Sequence, residues 1–261
     1  MSSKPTAISL FSGMGGDSLG IQKAGFDIIA FNEFDKAAVN SHLENFPDSI
    51  LIQDPTQKKP KDKINIQVIP DEIFSEYKDT IDLVFAGHPC QGFSNGGKKL
   101  PDDPRNTLFR EFARVCRLVK PKYIIGENVD GLLSRKTATG ENYIDVIVKE
   151  FDDIGYNVTY QVCHTVKYGV PQLRKRLVYV GIRKDLNQTY TFPEPLNNGK
   201  TNIPNIQNII QFDMKGAIKI EPDDFDMTTI PDECILKNLN NSDNEVPQDI
   251  HPYLRLKAKT R

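Results

Sequence analysis

The sequence predicts a doubly wound α/β fold built on a mostly parallel sheet. Short apolar runs of strand length alternate with segments of helical periodicity through most of the chain. A glycine-rich turn follows the first apolar run, and an acidic residue follows the second. Strand, glycine turn, helix and a second strand ending in an acid is the arrangement in which open parallel sheets bind nucleotides.

The first strand is predicted at residues 7–11 and leads into the turn Ser12-Gly13-Met14-Gly15-Gly16. A helical pattern follows, so the backbone can approach a ligand closely at a helix N-terminus. By itself the glycine cluster is weak evidence, because many tight turns have similar sequences.

The second strand, residues 27–31, leads to Glu33 and Phe34. Glu33 lies twenty positions after Gly13, where an acidic residue binds ribose hydroxyls in this architecture. The alternative is an ordinary acid near a helix N-terminus, which the helix dipole favours. Phe34 is suited to stacking on an adenine or to the core. A third strand, residues 49–52, ends close to Asp54.

The most informative stretch is the loop at residues 87–94, which follows a fourth apolar strand at residues 81–86 and carries Cys90. Open α/β sheets bind ligands at the carboxyl ends of their strands, and a thiolate held there is a strong nucleophile. The alternative is a small buried hydrophobe, which is what most free cysteines are.

A helix is predicted at residues 107–119, with Cys116 on its apolar stripe and therefore in the core. A fifth strand, residues 122–126, ends at Glu127. Because the carboxyl ends of parallel strands meet at one edge of a sheet, Glu33, Cys90 and Glu127 are expected to face a common site.

Two further segments complete the pattern. The basic run at residues 58–63 predicts a solvated surface connection, with contact to phosphates as the alternative. Arg174 and Arg176 precede a strand at residues 177–182, and their spacing of two predicts that both side chains point the same way, toward a common anion.

Composition describes an ordinary globular protein, since 38% of the 261 residues are hydrophobic and 26% are charged. The net charge of −2 and the pI near 6.1 give no basic footprint for nucleic acid, although a local basic face or a basic partner can supply one. The four cysteines are far apart in the chain, so no metal site or disulfide framework is expected. The absence of a long apolar run or a leader predicts a cytoplasmic protein with no membrane partner.

The motifs FSGMGG, NEFD, GHPCQGFS, ENVDGLL and QLRKR, in this order, resemble the cytosine-C5 DNA methyltransferases of bacterial restriction–modification systems. The resemblance covers about residues 6–185 and implies a Rossmann-like methyltransferase sheet, with S-adenosylmethionine as methyl donor. It implies double-stranded DNA as partner and a cytosine flipped out of the duplex as acceptor, in a bacterial cytosol or nucleoid.

The resemblance also implies roles for individual residues. Cys90 would attack C6 of cytosine, Glu127 would hold the ring at N3 and the exocyclic amine, and Arg174 and Arg176 would orient the site. The positions that match cofactor contacts are Phe11, Gly13, Gly15, Glu33, Phe34, Asp54 and Leu108, and those that match the substrate loop are Pro89, Gln91 and Ser94. Ser9 departs from the family pattern, which usually has an aspartate there.

Residues 1–186 are predicted to form the catalytic domain, and residues 187–261 part of a target-recognition or connecting region. Two further family motifs, an RLQGFP-like helix and a Gly-Asn segment, are not found before Arg261. The chain is therefore interpreted as one subunit of a split methyltransferase, with a second polypeptide carrying the rest, or as a truncated product. The isolated chain is expected to be weakly active or inactive and to lack sequence specificity.

Three alternatives to this function stay open. An RNA cytosine methyltransferase would share Cys90 and Glu127. A non-catalytic DNA-binding remnant would keep the fold without turnover. A nucleotide oxidoreductase would share the sheet but leaves the Pro-Cys-Gln and Glu-Asn-Val elements unexplained.

Overall fold

A computed structural model of the chain describes residues 4–89, 108–137 and 139–197. Three of the predicted site residues, Cys90, Gln91 and Ser94, lie outside the described residues, as does the chain after Asn197.

The described residues contain seven strands, which form one sheet in the order β3-β2-β1-β4-β5-β7-β6. The strands are Thr6–Leu10 (β1), Asp27–Asn32 (β2), Ile50–Leu51 (β3), Leu83–Ala86 (β4), Tyr123–Asn128 (β5), Tyr156–His164 (β6) and Lys175–Arg183 (β7). Strands β1 to β5 pair in parallel, whereas β7 runs antiparallel to both β5 and β6. The predicted mostly parallel α/β fold is confirmed.

The described α-helices lie between the strands, as the predicted alternation requires. They are Gly16–Lys23 (α1), Lys36–Asn45 (α2), Pro60–Ile64 (α3), Asp71–Ser75 (α4), Phe109–Val119 (α5) and Tyr143–Asp153 (α6). Short 3-10 helices occur at Asp130–Ser134, Thr165–Tyr168 and Lys184–Leu186. The basic run contains the short helix α3, which begins at Pro60, because proline is tolerated in the first helical turn. Lys58, Lys59 and Lys61 are exposed, as expected.

The larger hydrophobic core lies where α5 and α6 pack on the sheet. On α5 the buried residues are Phe109, Phe112, Ala113, Val115, Cys116 and Val119, which is the spacing of one helix face. They join buried residues of β1, β4 and β5 in one cluster, and Cys116 belongs to it as predicted. A second, smaller cluster contains Ala7, Ile21, Ile28, Phe46 and Leu83.

Strands β5 and β7 are packed through a reciprocal fit of glycines and large side chains. Gly126 is the partner of Tyr179, and Ile124 is the partner of Gly181. A Cβ atom at Gly126 would lie 1.9 Å from the Tyr179 ring, and one at Gly181 would lie 2.5 Å from Ile124. Each glycine therefore leaves the space that the neighbouring strand fills.

The segment after β7 stays in contact with the sheet domain beyond the predicted boundary at residue 186. The Leu196 amide donates to the Lys167 carbonyl at 2.8 Å, and Asn197 Nδ2 donates to the Val166 carbonyl at 2.9 Å. Among the described residues, no helix is both long and apolar enough to cross a membrane.

Candidate active site

A cavity of about 500 Å³ opens at the carboxyl edge of the parallel strands. It is lined by residues that follow β1, β2 and β4, together with the segment after α3 and the start of α5. The lining residues are Phe11, Asn32, Glu33, Phe34, Asp35, Asn65, Ile66, Gln67, Gly87, Pro89 and Leu108. Its volume is within the range of small-molecule sites, and its location is the usual one for a ligand of an open α/β sheet.

The turn after β1 forms one wall of this cavity. Phe11 has a φ of +55°, the left-handed region that costs a non-glycine residue about 1–3 kcal/mol. Gly13 also has a positive φ and donates its amide hydrogen to Glu33. Gly15 caps α1, and a Cβ there would lie 2.5 Å from Phe46, so its small size serves helix packing.

The Glu33 carboxylate is held by three backbone amides. Oε2 accepts from the Gly13 amide at 2.8 Å, and Oε1 accepts from the Phe34 and Asp35 amides at 2.7 and 2.8 Å. A carboxylate has about four lone-pair sites, so this one keeps capacity to accept from a ligand hydroxyl. A fixed, half-buried acceptor at the end of β2 is therefore present before any ligand binds.

Three predicted residues bring apolar surface to the cavity. Phe34 is 51% exposed. Leu108, which directly precedes α5, also lines the cavity. Pro89, the last described residue before Cys90, lines the same space.

Asp54 is buried in a turn after β3 and does not line the cavity. Its Oδ1 accepts from the Thr56 hydroxyl at 2.7 Å and the Thr56 amide at 2.9 Å, and its Oδ2 accepts from Gln57 at 2.9 Å. Hydrogen bonds from the Thr56 and Gln57 side chains lower the pKa of the Asp54 carboxyl.

Sequence analysis missed the wall formed by Asn65, Ile66 and Gln67. Arg114 on α5 fastens this segment, because its guanidinium donates to the Ile66 carbonyl at 2.6 Å and to the Ile69 carbonyl at 3.3 Å. Arg114 also pairs with Asp71 at 2.5 Å and Glu111 at 2.8 Å. The segment is a series of turns and not a regular element, and Arg114 lies on the side of α5 away from its buried residues, so neither shows this contact in the sequence.

Glu127 and Arg176 form an ion pair across β5 and β7, with Nε and Oε1 2.7 Å apart. A Cβ at Gly87 would lie 3.9 Å from Glu127 Oε2 and 3.9 Å from the Phe11 carbonyl oxygen. The pair therefore lies beside the end of β4 that lines the cavity. Arg174 is exposed just before β7, and its backbone carbonyl accepts from Thr165. The structure thus brings Arg176, and not the Arg174 side chain, to Glu127.

A buried hydrogen-bond network adjoins this pair. The imidazole of His88 contacts the Tyr179 hydroxyl at 2.9 Å through Nε2 and the Asn128 amide nitrogen at 3.1 Å through Nδ1. Burial lowers the pKa of His88 to about 4.

Ser9, where the sequence departs from the family pattern, is fully buried and donates its hydroxyl to Asp17 on α1. Burial raises the pKa of the Asp17 carboxyl. A carboxylate from the next element therefore lies beside the position where an acid was expected. Among the described residues, no group of three or more His, Cys, Asp or Glu is placed to hold a metal ion.

The order of the strand-end residues around one cavity agrees with the family suggested by the motifs, and comparison with known proteins decides the point. The family model described as C-5 cytosine-specific DNA methylase matches residues 6–254. The chain belongs to this family. The predicted membership is confirmed.

Curated relatives of the chain include type II methyltransferases. M.FnuDI of Fusobacterium nucleatum is 37% identical over 192 residues, which are 73% of this chain and 51% of that protein. M.NgoPII of Neisseria gonorrhoeae is 38% identical over 188 residues, 72% and 50% of the two chains. M.MthTI of Methanothermobacter thermautotrophicus is 34% identical over 248 residues, 94% and 63%. This chain spans about half the length of the first two relatives.

Solved structures have the same fold. A DNA modification methyltransferase encoded within an E. coli prophage matches with a TM-score of 0.58 and 29% identity, over 77% of this chain and 51% of that one. The Dnmt2 methyltransferase of S. pombe matches with a TM-score of 0.58 and 18% identity, over 80% of this chain and 61% of that one, which shows the fold alone.

Proposed function

We propose that the chain is the catalytic part of a DNA cytosine-C5 methyltransferase. Its methyl donor is S-adenosylmethionine, and its acceptor is a cytosine flipped out of duplex DNA. The observation that carries the proposal is that Glu33 lines the same cavity as Gly87 and Pro89, the stem of the Cys90 loop, and that Glu127 lies beside Gly87, all within the family motifs.

The residues of the cavity fit S-adenosylmethionine. Glu33 offers a fixed acceptor for a pair of ribose hydroxyls, and the exposed Phe34 ring offers an apolar face for an adenine. Phe11 and Leu108 add apolar contacts, and the amides of the Gly13 turn lie close to Glu33. Gly15 and Asp54 would act by shaping the turns that support the pocket.

Cys90 is the nucleophile in this proposal. Its thiolate adds to C6 of cytosine and forms a carbon–sulfur bond, which gives C5 the electron pair needed to accept a methyl group. Bound S-adenosylmethionine supplies that methyl group from its positively charged sulfonium, and the neutral thioether S-adenosylhomocysteine is the leaving product. A base then removes the C5 proton, the Cys90 thiolate is expelled, and the ring is restored as 5-methylcytosine.

Glu127 holds the base while this happens. In this proposal Glu127 takes up a proton from solvent when the base binds, donates it to N3 and accepts a hydrogen bond from the exocyclic amine, which reduces the negative charge that must develop on the ring. Arg176 fixes the direction of the Glu127 carboxylate through their ion pair. Arg174, Gln91 and Ser94 are assigned to orienting the DNA and the loop. Extrusion of the base from the duplex costs about a few kcal/mol.

The test is covalent trapping. A duplex that contains 5-fluorocytosine should form a denaturation-resistant adduct with the full chain when the second polypeptide and S-adenosylmethionine are present, because the fluorine at C5 cannot leave as a proton does. Cys90→Ala should abolish the adduct. The control Cys163→Ala, on β6, should keep it. Loss of the adduct in the control alone, or its persistence in Cys90→Ala, would contradict the assignment. Labelled methyl transfer to tRNA and to duplex DNA, compared side by side, separates the RNA alternative.

We also propose that a second polypeptide completes the enzyme. The chain spans about half the length of its relatives. In addition, a mostly apolar cavity of about 590 Å³ lies between α1 and the strands β4, β5 and β7. Phe85, Tyr123 and Ile125 are only partly buried there. Parallel sheets normally carry helices over both faces, so this surface suits an apolar segment of the second chain.

Ile125→Thr tests this docking surface, because it replaces an apolar strand residue by a polar one of similar shape. It should weaken co-purification with a second polypeptide that carries the RLQGFP-like helix and the Gly-Asn segment, and it should lower the methyl transfer of the mixture. Ile50→Thr, at a 57% exposed position on β3, is the matched control. Equal binding by both variants would remove the support that this surface gives.

A further inference from the structure

The stem of the Cys90 loop is tied to two neighbouring strands by a closed set of buried hydrogen bonds. We propose that His88 is a positioning residue, held as the Nε2–H tautomer between Tyr179 and Asn128, which fixes the backbone immediately before Pro89 and Cys90. This inference rests on the proposed function, since it gives the fixed backbone a task in presenting the nucleophile.

The orientation of the Asn128 amide follows from its neighbours. The Val129 amide donates to Asn128 Oδ1 at 2.8 Å, so the oxygen is committed to that side. Asn128 Nδ2 then faces His88 and lies 3.1 Å from its Nδ1 and 3.1 Å from its backbone carbonyl oxygen. An amide nitrogen carries two hydrogens, and each has one acceptor here.

This orientation determines the state of the imidazole. Because Nδ1 accepts from Asn128, the ring proton of a neutral His88 is on Nε2, which donates to the Tyr179 hydroxyl at 2.9 Å. His88 is 4% exposed and Asn128 is 3% exposed, so water does not compete at these contacts. The low pKa of His88 is consistent with a neutral ring.

The bonds act on the main chain and not only on side chains. Asn128 holds the His88 carbonyl, and the Gly87 amide donates to the Leu10 carbonyl at 3.3 Å. Pro89 has a φ restricted by its own ring and lines the cavity. Tyr179 is in turn held over Gly126. The backbone that leads to Cys90 is thus held by contacts with three strands, β1, β5 and β7.

Two substitutions release the network in different ways. Tyr179→Phe removes only a hydroxyl from a fully buried ring, and His88→Phe removes both ring nitrogens at similar volume. His88→Gln keeps one donor and one acceptor and serves as the conservative variant. Tyr156→Phe is the matched control, because the Tyr156 hydroxyl is also buried and donates to the Pro121 carbonyl at 2.7 Å, outside this network.

Amide hydrogen exchange of the full chain measures how firmly the His88–Tyr179–Asn128 network holds the loop stem, and it does not require turnover. Tyr179→Phe and His88→Phe should speed exchange in the peptide that contains Gly87–Gln91 by roughly fivefold or more, as expected for a lost buried hydrogen bond. Exchange in α6 should change much less. His88→Gln should restore part of the protection, and Tyr156→Phe should leave the loop peptide unchanged. Equal acceleration in both peptides would mean that His88 is merely structural and would overturn the inference.

The rate of adduct formation on 5-fluorocytosine DNA tests whether this hydrogen-bond network affects the reaction of Cys90. Where the natural chain forms the adduct, the two releasing variants should form it several-fold more slowly, with an unchanged Kd for S-adenosylmethionine. Unchanged adduct rates in variants with faster exchange would overturn the positioning role. Failure of the natural chain to form any adduct with its second chain present would instead count against the proposed function.

Discussion

The Glu33 carboxylate is oriented entirely by backbone amides, and this explains how one side chain can be ready for a ligand on a turn. The Gly13, Phe34 and Asp35 amides all donate to it. Amides that belong to the main chain cannot rotate away as side chains do, so little conformational entropy is lost when a ligand adds its hydroxyls.

Glu33→Gln should weaken S-adenosylmethionine binding about tenfold. The amide group that replaces one carboxylate oxygen cannot accept, and it brings its own hydrogens toward backbone donors. Isothermal titration with the full chain measures the Kd. Glu44→Gln makes the same charge change at an exposed position of α2 and should leave the Kd unchanged. Equal Kd values for both variants would show that Glu33 does not touch the cofactor.

Between elements, the fit of β5 against β7 depends on Gly126. A methyl group there would overlap the Tyr179 ring, which is fully buried and cannot swing into solvent. Gly126→Ala should therefore lower the free energy of unfolding by about 1–3 kcal/mol, the usual cost of overpacking. Gly20→Ala, inside α1 with nothing within 4 Å of the added methyl, should be neutral or stabilising. Urea denaturation of both variants provides the comparison.

The contact between α5 and the segment after α3 supports the cavity wall through Arg114. Arg114→Ala removes the bonds to the Ile66 and Ile69 carbonyls and should weaken S-adenosylmethionine binding several-fold by loosening Asn65–Gln67. Arg117→Ala, on an exposed position of the same helix, controls for helix propensity and charge. A Kd that changes equally in both variants would exclude a specific role for Arg114.

For the molecule as a whole, two buried histidines should make stability fall in mild acid. Burial lowers the pKa of both His42 and His88 from 6.5 to about 4. The unfolded chain therefore takes up protons below pH 6.5 that the folded chain refuses until about pH 4. Stability is full above pH 6.5 and is lost as the pH falls through this window, by roughly 2 kcal/mol per histidine between pH 7 and pH 5.

The carboxyl groups with shifted pKa values change the stability either at a lower pH than the histidines do or in the opposite direction. Asp54, Asp82 and Asp185 have lowered pKa values, so the stability they add is lost only as the pH falls below their ordinary 3.8. Asp17, with a raised pKa, takes up a proton in the folded state first and partly offsets the loss. Urea titrations at pH 7 and pH 5 should show the decrease, and His42→Gln should make it smaller. A pH-independent stability across this range would contradict the expectation.

The sequence was sufficient to predict the mostly parallel sheet and the positions of Glu33 and Glu127 at the carboxyl ends of β2 and β5, because periodicity and parallel connections constrain both. One apolar run predicts both the start of β5 and the position of Glu127 near its carboxyl end. The role of Arg176 in pairing with Glu127 could not be separated from that of Arg174, since the choice depends on where β7 begins. The Asn65–Gln67 wall, the Arg114 contacts and the Tyr179–His88–Asn128 network join distant segments, and no local pattern encodes such contacts.

The insertion of β7 between β5 and β6 also has a consequence during synthesis. Glu127 leaves the ribosome well before Arg176, and the whole of β6 is made between them. The arginine that orients the carboxylate, and the tyrosine that holds the Cys90 stem, thus arrive with the last of the described strands. A nascent polypeptide that contains the PCQ and ENV motifs but not yet β7 lacks both Arg176 and Tyr179. The site is therefore complete only after β7 has been synthesised.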